Sequence, residues 1–233
     1  MLLDSLRLAA LAYAEPSDFR NVHPDAVFFD SNATSSECTQ FYFVAQGGEI
    51  LIAFRGSSSR SDFLADADFF LDPVPSSIAS GRQEDNLKVH GGFRRQFLAA
   101  LPTLQSCIEG APSNWPVRVV GHSLGGALAT LCALSLKRGA LHIADRVVTC
   151  ATFGSPRVGN AAFAKAFDAC VDTSVRCVNG RDAVTMRPYW GYEHVGGLQQ
   201  VGSTTIYGFI SGWFGSVKDH SLASYTSAVE ASK

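Results

Sequence analysis

The chain has 233 residues and a formal net charge of −2 at pH 7, with 46% hydrophobic and 17% charged residues. It is long enough to bury a large core, and it lacks the clustered basic residues that nucleic-acid binding requires. No stretch of about 18 residues is apolar and free of charge, so we expect no membrane-spanning helix.

The first segment, residues 1–13, is apolar but interrupted by Asp4 and Arg7. Its spacing predicts an amphipathic helix that covers the fold. It has neither the basic start nor the uninterrupted apolar core of a signal peptide. The sequence alone therefore suggests a cytoplasmic protein unless a signal has been removed. No proline-rich or charged linker follows, so we expect one domain over residues 1–233.

Two apolar runs, 41–45 and 49–54, flank Gly47-Gly48 and predict a β-hairpin. The polar stretch 71–86 is typical of a loop. Beyond it, helix and strand patterns alternate. The predicted elements are a helix over 93–107, a strand over 117–120, a helix over 125–137, a strand over 146–153, a helix over 161–167, a strand over 174–178 and a helix over the last ten residues. This order predicts an α/β protein whose largely parallel sheet is covered by helices.

The cysteines give no sign of a metal site, because none of the six forms a C-x-x-C pair. Several lie in predicted strands and helices, which favours buried thiols. A disulfide between some of them stays open. The six positions are Cys38, Cys107, Cys132, Cys150, Cys170 and Cys177.

The most informative motif is Gly-His-Ser-Leu-Gly at 121–125, which follows a β-branched run and precedes an Ala/Leu-rich segment. This order predicts a strand, a sharp turn and a helix, with Ser123 lifted out of the backbone into a site where it can act as a nucleophile. The glycines allow strand and helix to approach closely, and the Leu124 N–H can donate to an oxyanion. The alternative is a glycine-rich turn at a strand end.

A serine hydroxyl needs a base, and the base needs an orienting acid. In an α/β-hydrolase the chain order is serine, acid, histidine, which leaves His142, His194 and His220. His220 is favoured because it follows the last predicted strand and precedes the final helix. His194 remains the alternative base, or else a hydrogen-bonded structural histidine.

For the acid, Asp182 lies just past the predicted strand 174–178, at the edge of the sheet where Ser123 is expected. Its alternative role is a solvated turn aspartate. The other candidates either precede their strands or sit directly beside the histidine: Asp145, Asp168, Asp172 and Asp219.

Six segments together resemble the class 3 lipases, the fungal-type triacylglycerol lipase family. They are AFRGS at 53–57, VHGGF at 89–93, GHSLGGA at 121–127, TFGSPRVGN at 152–160, NGRDAV at 179–184 and DHSLASY at 219–225. The resemblance implies an α/β-hydrolase fold and a triad of Ser123, Asp182 and His220. It also implies an oxyanion hole formed by Ser57 and Leu124. By spacing alone Ser57 is a weak candidate, since serine-rich turns are common. We expect no metal and no organic cofactor.

The resemblance further implies a short helical lid over about 58–67, whose apolar tip is Phe63 and Leu64. An ordinary amphipathic surface helix is the alternative. The apolar, glycine-spaced stretch 205–215 carries Phe209 and Trp213 just before His220. It is interpreted as a lip that contacts acyl chains or a membrane, or alternatively as a packed loop.

The function expected from this resemblance is hydrolysis of acylglycerols through an acyl-enzyme on Ser123. An esterase for short-chain or soluble esters, including aromatic plant-wall esters, stays open. So do a catalytically silent lipid-binding module and an acyl transferase. The expected partners are a lipid ester substrate and, transiently, a lipid–water interface. We expect a monomer and no nucleic acid.

Overall fold

The computed structural model describes residues 1–31, 39–56, 70–80, 86–141, 143, 145–204 and 217–232. Its helices are α1 (Leu2–Leu11), α2 (Pro16–Val22), α3 (Gly91–Glu109), α4 (Leu124–Arg138), α5 (Ala161–Cys170) and α6 (Leu222–Ala231). Its strands are β1 (Val27–Asp30), β2 (Gln40–Gln46), β3 (Glu49–Phe54), β4 (Leu71–Pro73), β5 (Lys88–His90), β6 (Val117–His122), β7 (Val148–Phe153), β8 (Thr173–Asn179) and β9 (Gly197–Val201).

Within these ranges the main sheet has seven strands in the order β1-β2-β3-β6-β7-β8-β9. The first three strands are antiparallel neighbours, and every pairing from β3 to β9 is parallel. β4 and β5 form a separate antiparallel pair. The predicted α/β architecture with a largely parallel sheet is confirmed. All parallel strands end at one edge, called here the carboxyl edge.

Both faces of the sheet are buried, as the alternation within β2 demonstrates. Phe41 and Phe43 pack into a core with α3, α4 and α5, whereas Tyr42 and Val44 pack into a second core with α1 and α6. Successive side chains of a strand point to opposite faces, so helices must cover both sides. α4 lies deepest, because every residue from Leu124 to Leu136 is buried.

The predicted hairpin is confirmed, with Phe43 opposite Ile52 and a turn at Gly47-Gly48 where both glycines have positive φ. The amino-terminal helix is confirmed as α1. The loop predicted over 71–86 is wrong at its start, because Leu71–Pro73 pairs with β5. A three-residue strand is too short to give a readable alternation.

Of the six cysteines, the five within the described ranges are free thiols, and Cys38 lies outside those ranges. Cys132, Cys150 and Cys177 are buried. Burial raises the pKa of Cys150 and of Cys177 to about 12, so these thiols stay protonated. No helix in the described part of the chain is both long enough and apolar enough to cross a bilayer.

Candidate active site

Ser123 occupies the turn between β6 and α4, with φ 59° and ψ −129°. Few residues other than glycine adopt a positive φ. The turn is held to the neighbouring strand, because the Ser123 N–H donates to the Phe153 carbonyl over 2.9 Å. Glycines make the turn possible. A Cβ on Gly121 would overlap the backbone of Gly125, and a Cβ on Gly125 would overlap the Phe54 carbonyl. The close crossing of strand and helix therefore requires glycine at both positions.

His220 joins the serine to the aspartate. Its Nε2 accepts from the Ser123 hydroxyl over 2.8 Å, and its Nδ1 donates to Asp182 Oδ2, also over 2.8 Å. The Asp182 side chain is fully buried, and His220 is 2% exposed. The structure thus brings together the three side chains that the sequence singles out, from three separate places along the carboxyl edge.

Asp182 is held by further donors. Oδ1 accepts from the Val184 N–H over 2.9 Å, and Oδ2 accepts from the Tyr225 hydroxyl over 2.7 Å. Burial and the neighbouring carboxylate raise the pKa of Tyr225 well above its ordinary value, so this hydroxyl keeps its proton and donates. Sequence reasoning assigned no role to Tyr225. The available signal was the helical spacing of Tyr225 from Leu222, in the predicted helix that begins shortly after His220.

A second support comes from the histidine inside the motif. His122 Nε2 lies 2.8 Å from the His220 carbonyl, which can only accept, so Nε2 carries the proton. Its Nδ1 then accepts from the Tyr13 hydroxyl over 2.9 Å. The two imidazole rings lie 4.6 Å apart between centroids. A chain of contacts therefore runs from Tyr13, just after α1, through His122 to the backbone of His220, and no local sequence pattern indicates it.

Gly154, at the end of β7, makes room for the aspartate and the histidine. A Cβ there would lie 2.8 Å from Asp182 Oδ2 and 2.9 Å from His220 Nδ1, and Gly154 has φ 61°. Both the space and the backbone conformation therefore exclude larger residues.

The other candidate residues are engaged elsewhere. His194 Nε2 donates to the Thr185 carbonyl over 2.8 Å. Burial, with the nearby Arg176 and Arg157 guanidinium groups, lowers the pKa of His194 to about 3, so its ring is neutral. Asp219 Oδ2 accepts from the backbone N–H of Arg181.

His90 Nδ1 accepts from the N–H groups of Gly92 and Phe93, and so caps α3. His142 lies outside the described residues.

Leu124 is the first residue of α4, so its N–H has no acceptor within the helix and lies at the positive end of the helix dipole. This placement suits an oxyanion donor. The predicted lid over 58–67 lies outside the described ranges. So do the remaining predicted site residues, which are Ser57, Phe63, Leu64, Phe209 and Trp213.

In the described part of the chain, no group of three or more His, Cys, Asp or Glu side chains is arranged to hold a metal ion. A cavity of about 420 Å³ lies between α1, α2 and the amino-terminal halves of β3 and β6. Its lining contains none of Ser123, Asp182 and His220, so it is separate from the candidate site.

Comparisons with known proteins agree with this geometry. A family model described as "Lipase (class 3)" matches residues 51–192, more than half of the chain. A lipase of Rhizomucor miehei is 35% identical over 181 residues, covering 73% of this chain and 45% of that protein. Lipase A of Sodiomyces alcalophilus is 34% identical over 177 residues, covering 64% and 42%. The chain thus spans less than half the length of these curated relatives.

Among solved structures, a triacylglycerol lipase whose catalytic centre is a serine-protease triad superimposes with a TM-score of 0.70 and 29% identity. The match covers 94% of this chain and 91% of that one.

Proposed function

The chain belongs to the class 3 lipase family, and from that premise we propose that it hydrolyses carboxylic esters of acylglycerols through an acyl-enzyme on Ser123. The observation that carries the proposal is the unbroken hydrogen-bonded path from the Ser123 hydroxyl through His220 to Asp182. A path of this kind gives a weak nucleophile both its base and the group that orients the base.

In the first half-reaction, the Ser123 oxygen attacks the ester carbonyl carbon as its proton moves to His220 Nε2. Asp182 holds the opposite ring nitrogen and stabilises the imidazolium that forms. The tetrahedral intermediate then collapses, the alcohol leaves with the proton from Nε2, and the acyl group stays on Ser123. In the second half-reaction, water takes the place of the serine hydroxyl, and the carboxylic acid is released.

We place the developing oxyanion at the amino-terminal end of α4, within reach of the Leu124 N–H. Its second donor is Ser57, as the family resemblance implies. Preorganised donors of this kind contribute about 100- to 1000-fold each to turnover. Neither half-reaction needs a metal ion or an organic cofactor.

Acylglycerols are the proposed substrates because proteins that are similar to this chain in sequence and fold are named as lipases. We propose that the segment 58–67, with Phe63 and Leu64, acts as a lid at the lipid surface. Phe209 and Trp213 contact the acyl chain or the lipid surface. The catalytic unit works as a monomer, which light scattering on the purified protein checks.

The test begins with a fluorophosphonate probe, which should label wild-type protein at Ser123. Ser123→Ala should abolish labelling and lower ester turnover by about five to six orders of magnitude. Thermal unfolding of the variant serves as the control for an intact fold. If folded wild-type protein takes no label, the catalytic proposal is wrong and a silent lipid-binding module is favoured.

A chain-length series of p-nitrophenyl esters, with and without emulsified triacylglycerol, tests the substrate class. We expect turnover of long acyl chains and a rise in rate once substrate forms an emulsion. A steady fall in rate beyond short chains, with no effect of the surface, would instead identify an esterase for soluble esters.

A further inference from the structure

Three large aromatic side chains are exposed, one directly before β4 and two in the segment that follows the turn after β8. Phe70 is 76% exposed, Tyr189 is 51% exposed and Trp190 is 92% exposed. Large exposed apolar surface that adjoins a functional site is a mark of an interaction surface. These three residues, together with Arg187, are called here the aromatic patch.

The backbone beneath Trp190 is firmly fixed, so the exposure belongs to the fold. The Arg157 guanidinium donates to the carbonyls of Met186 and Pro188, and the Arg157 N–H donates to the Arg187 carbonyl over 2.8 Å.

The Phe70 side of the patch is joined to the same segment. The Tyr192 hydroxyl lies 3.4 Å from the Phe70 carbonyl, and a Cβ on Gly191 would come within 3.5 Å of Leu71 Cδ1. These contacts place the backbone of Phe70 and Leu71 beside the segment 191–192, directly after Trp190.

The patch is also tied to the catalytic acid. Trp190 lies eight positions after Asp182 in the chain. Within that interval the Val184 N–H bonds to Asp182 Oδ1, and the Arg187 N–H bonds to the Val184 carbonyl. Two hydrogen bonds therefore connect the segment that carries the patch to the turn that carries the acid.

The residue types point to a lipid surface as the partner. Tryptophan and tyrosine combine an apolar ring with a polar group, and both are enriched where hydrocarbon meets water. The Arg187 guanidinium lies 5.9 Å from the centre of the Tyr189 ring. Arg187 gives the patch its positive charge, which complements an anionic headgroup; the nearest acidic residue along the chain on the exposed side is Glu193, three positions after Trp190.

We propose that the aromatic patch anchors the protein to anionic lipid surfaces, with Trp190 inserted at the headgroup level and Arg187 paired with anionic headgroups. This inference rests on the proposed function and names the surface from which the site would draw its esters. It assigns adsorption to residues that take no part in the chemistry at Ser123.

The experiment measures co-sedimentation with phosphatidylcholine vesicles, with and without phosphatidylglycerol, in a Ser123→Ala background that leaves the lipid intact. Burying a large aromatic side chain in lipid favours binding by about tenfold or more. We expect Trp190→Ala to weaken partitioning by that factor. Arg187→Gln should remove most of the preference for phosphatidylglycerol. Val147→Ala is the matched control, because Val147 is 54% exposed just before β7, at the opposite edge of the sheet.

Partitioning of Trp190→Ala equal to that of Val147→Ala overturns the proposal. A second outcome also overturns it. If light scattering shows a dimer, and Trp190→Ala dissociates that dimer without changing vesicle binding, the patch joins two copies of the chain. Turnover of a soluble short-chain ester, measured with Ser123 intact, separates the two proposals. We expect Trp190→Ala to leave it unchanged. Vesicle binding by a wild-type protein with no turnover would overturn the proposed function and leave the anchor standing.

Discussion

Two tyrosine hydroxyls from opposite ends of the chain hold the side chains around Ser123. Tyr225 reaches Asp182 from α6, and Tyr13 reaches His122, which in turn binds the His220 backbone. Both tyrosines act through other residues and not on substrate, so each is a positioning residue. Their effects should therefore appear in kcat more than in KM.

Tyr225→Phe removes one donor from Asp182 Oδ2 and leaves the ring in place. Hydrogen bonds to charged groups contribute about 1.5–3 kcal/mol, so denaturant unfolding should reveal a loss of that size. We also expect kcat for a soluble ester to fall about tenfold at unchanged KM. A loss of stability with kcat unchanged would show that this hydroxyl serves the fold alone.

Tyr13→Phe breaks the contact between α1 and His122. We expect kcat to fall several-fold and stability to fall by about 1 kcal/mol. Tyr42→Phe is the matched control, because the Tyr42 hydroxyl donates to the Ala14 carbonyl and, within the described residues, makes no hydrogen bond to Ser123, His122, Asp182 or His220. It should cost similar stability and leave kcat unchanged. Equal kcat values for the two variants would refute the positioning role of Tyr13.

The sequence pointed to Ser123, Asp182 and His220 because each stands at a recognisable place relative to a predicted strand or helix. Tyr13 carries no such local signal, and Tyr225 carries only its helical spacing from Leu222. Tyr13 meets His122 across 109 positions of the chain, and which residues meet across such a distance depends on how α1 packs against the sheet. The oxyanion donor Ser57 remains a prediction, since it lies outside the described residues.

At the scale of elements, Asn160 joins a helix to a strand. Its Oδ1 accepts from the Phe163 N–H, which caps α5, and from the Lys88 N–H of β5. One side-chain oxygen therefore satisfies donors from two elements. Its Nδ2 donates to the Asn86 carbonyl, which fixes the approach to β5.

Asn160→Ala should lower the free energy of unfolding by about 1–2 kcal/mol, because it removes a helix cap and leaves the Lys88 N–H without its acceptor. Urea unfolding followed by circular dichroism measures the loss. Asn160→Asp keeps the acceptor and loses only the bond to Asn86, so it should recover most of the stability. Equal losses in the two variants would contradict the capping role.

The elements that the sequence predicted carry strong periodic patterns, and those it missed do not. α4 and its preceding strand were predicted because an apolar run and a glycine motif mark the boundary. β9, Gly197–Val201, escaped notice because it is an edge strand whose first four residues are exposed, so its sequence lacks apolar alternation. α2 is only seven residues long and buries a single side chain, Phe19.

At the scale of the whole molecule, a partly buried neutral histidine makes stability depend on pH. His194 has its pKa lowered from 6.5 to about 3 in the fold, because the ring is partly removed from water and lies near two guanidinium groups. Between these values the unfolded chain binds a proton that the folded chain does not. Stability therefore falls as pH drops from about 6.5 towards 3, by at most about 1.4 kcal/mol per pH unit from this group.

His194→Gln removes this titration and retains an amide that can donate to the Thr185 carbonyl. We measure the free energy of unfolding in urea between pH 4 and pH 7, a range in which the unfolded chain protonates this histidine and the folded chain does not. The free energy of the variant should fall less steeply with acid than that of wild type. Parallel curves for the two proteins would mean that other groups account for the acid sensitivity.

The backbone at Ser123 has a consequence for selection. Ser123 has φ 59° and ψ −129°. A conformation of this kind costs a residue other than glycine about 1–3 kcal/mol. Ser123→Gly should therefore unfold at a higher temperature than Ser123→Ala, although both lack the hydroxyl. A laboratory screen that selected only for heat resistance would favour glycine at this position, and would so enrich thermostable variants that have lost the nucleophile.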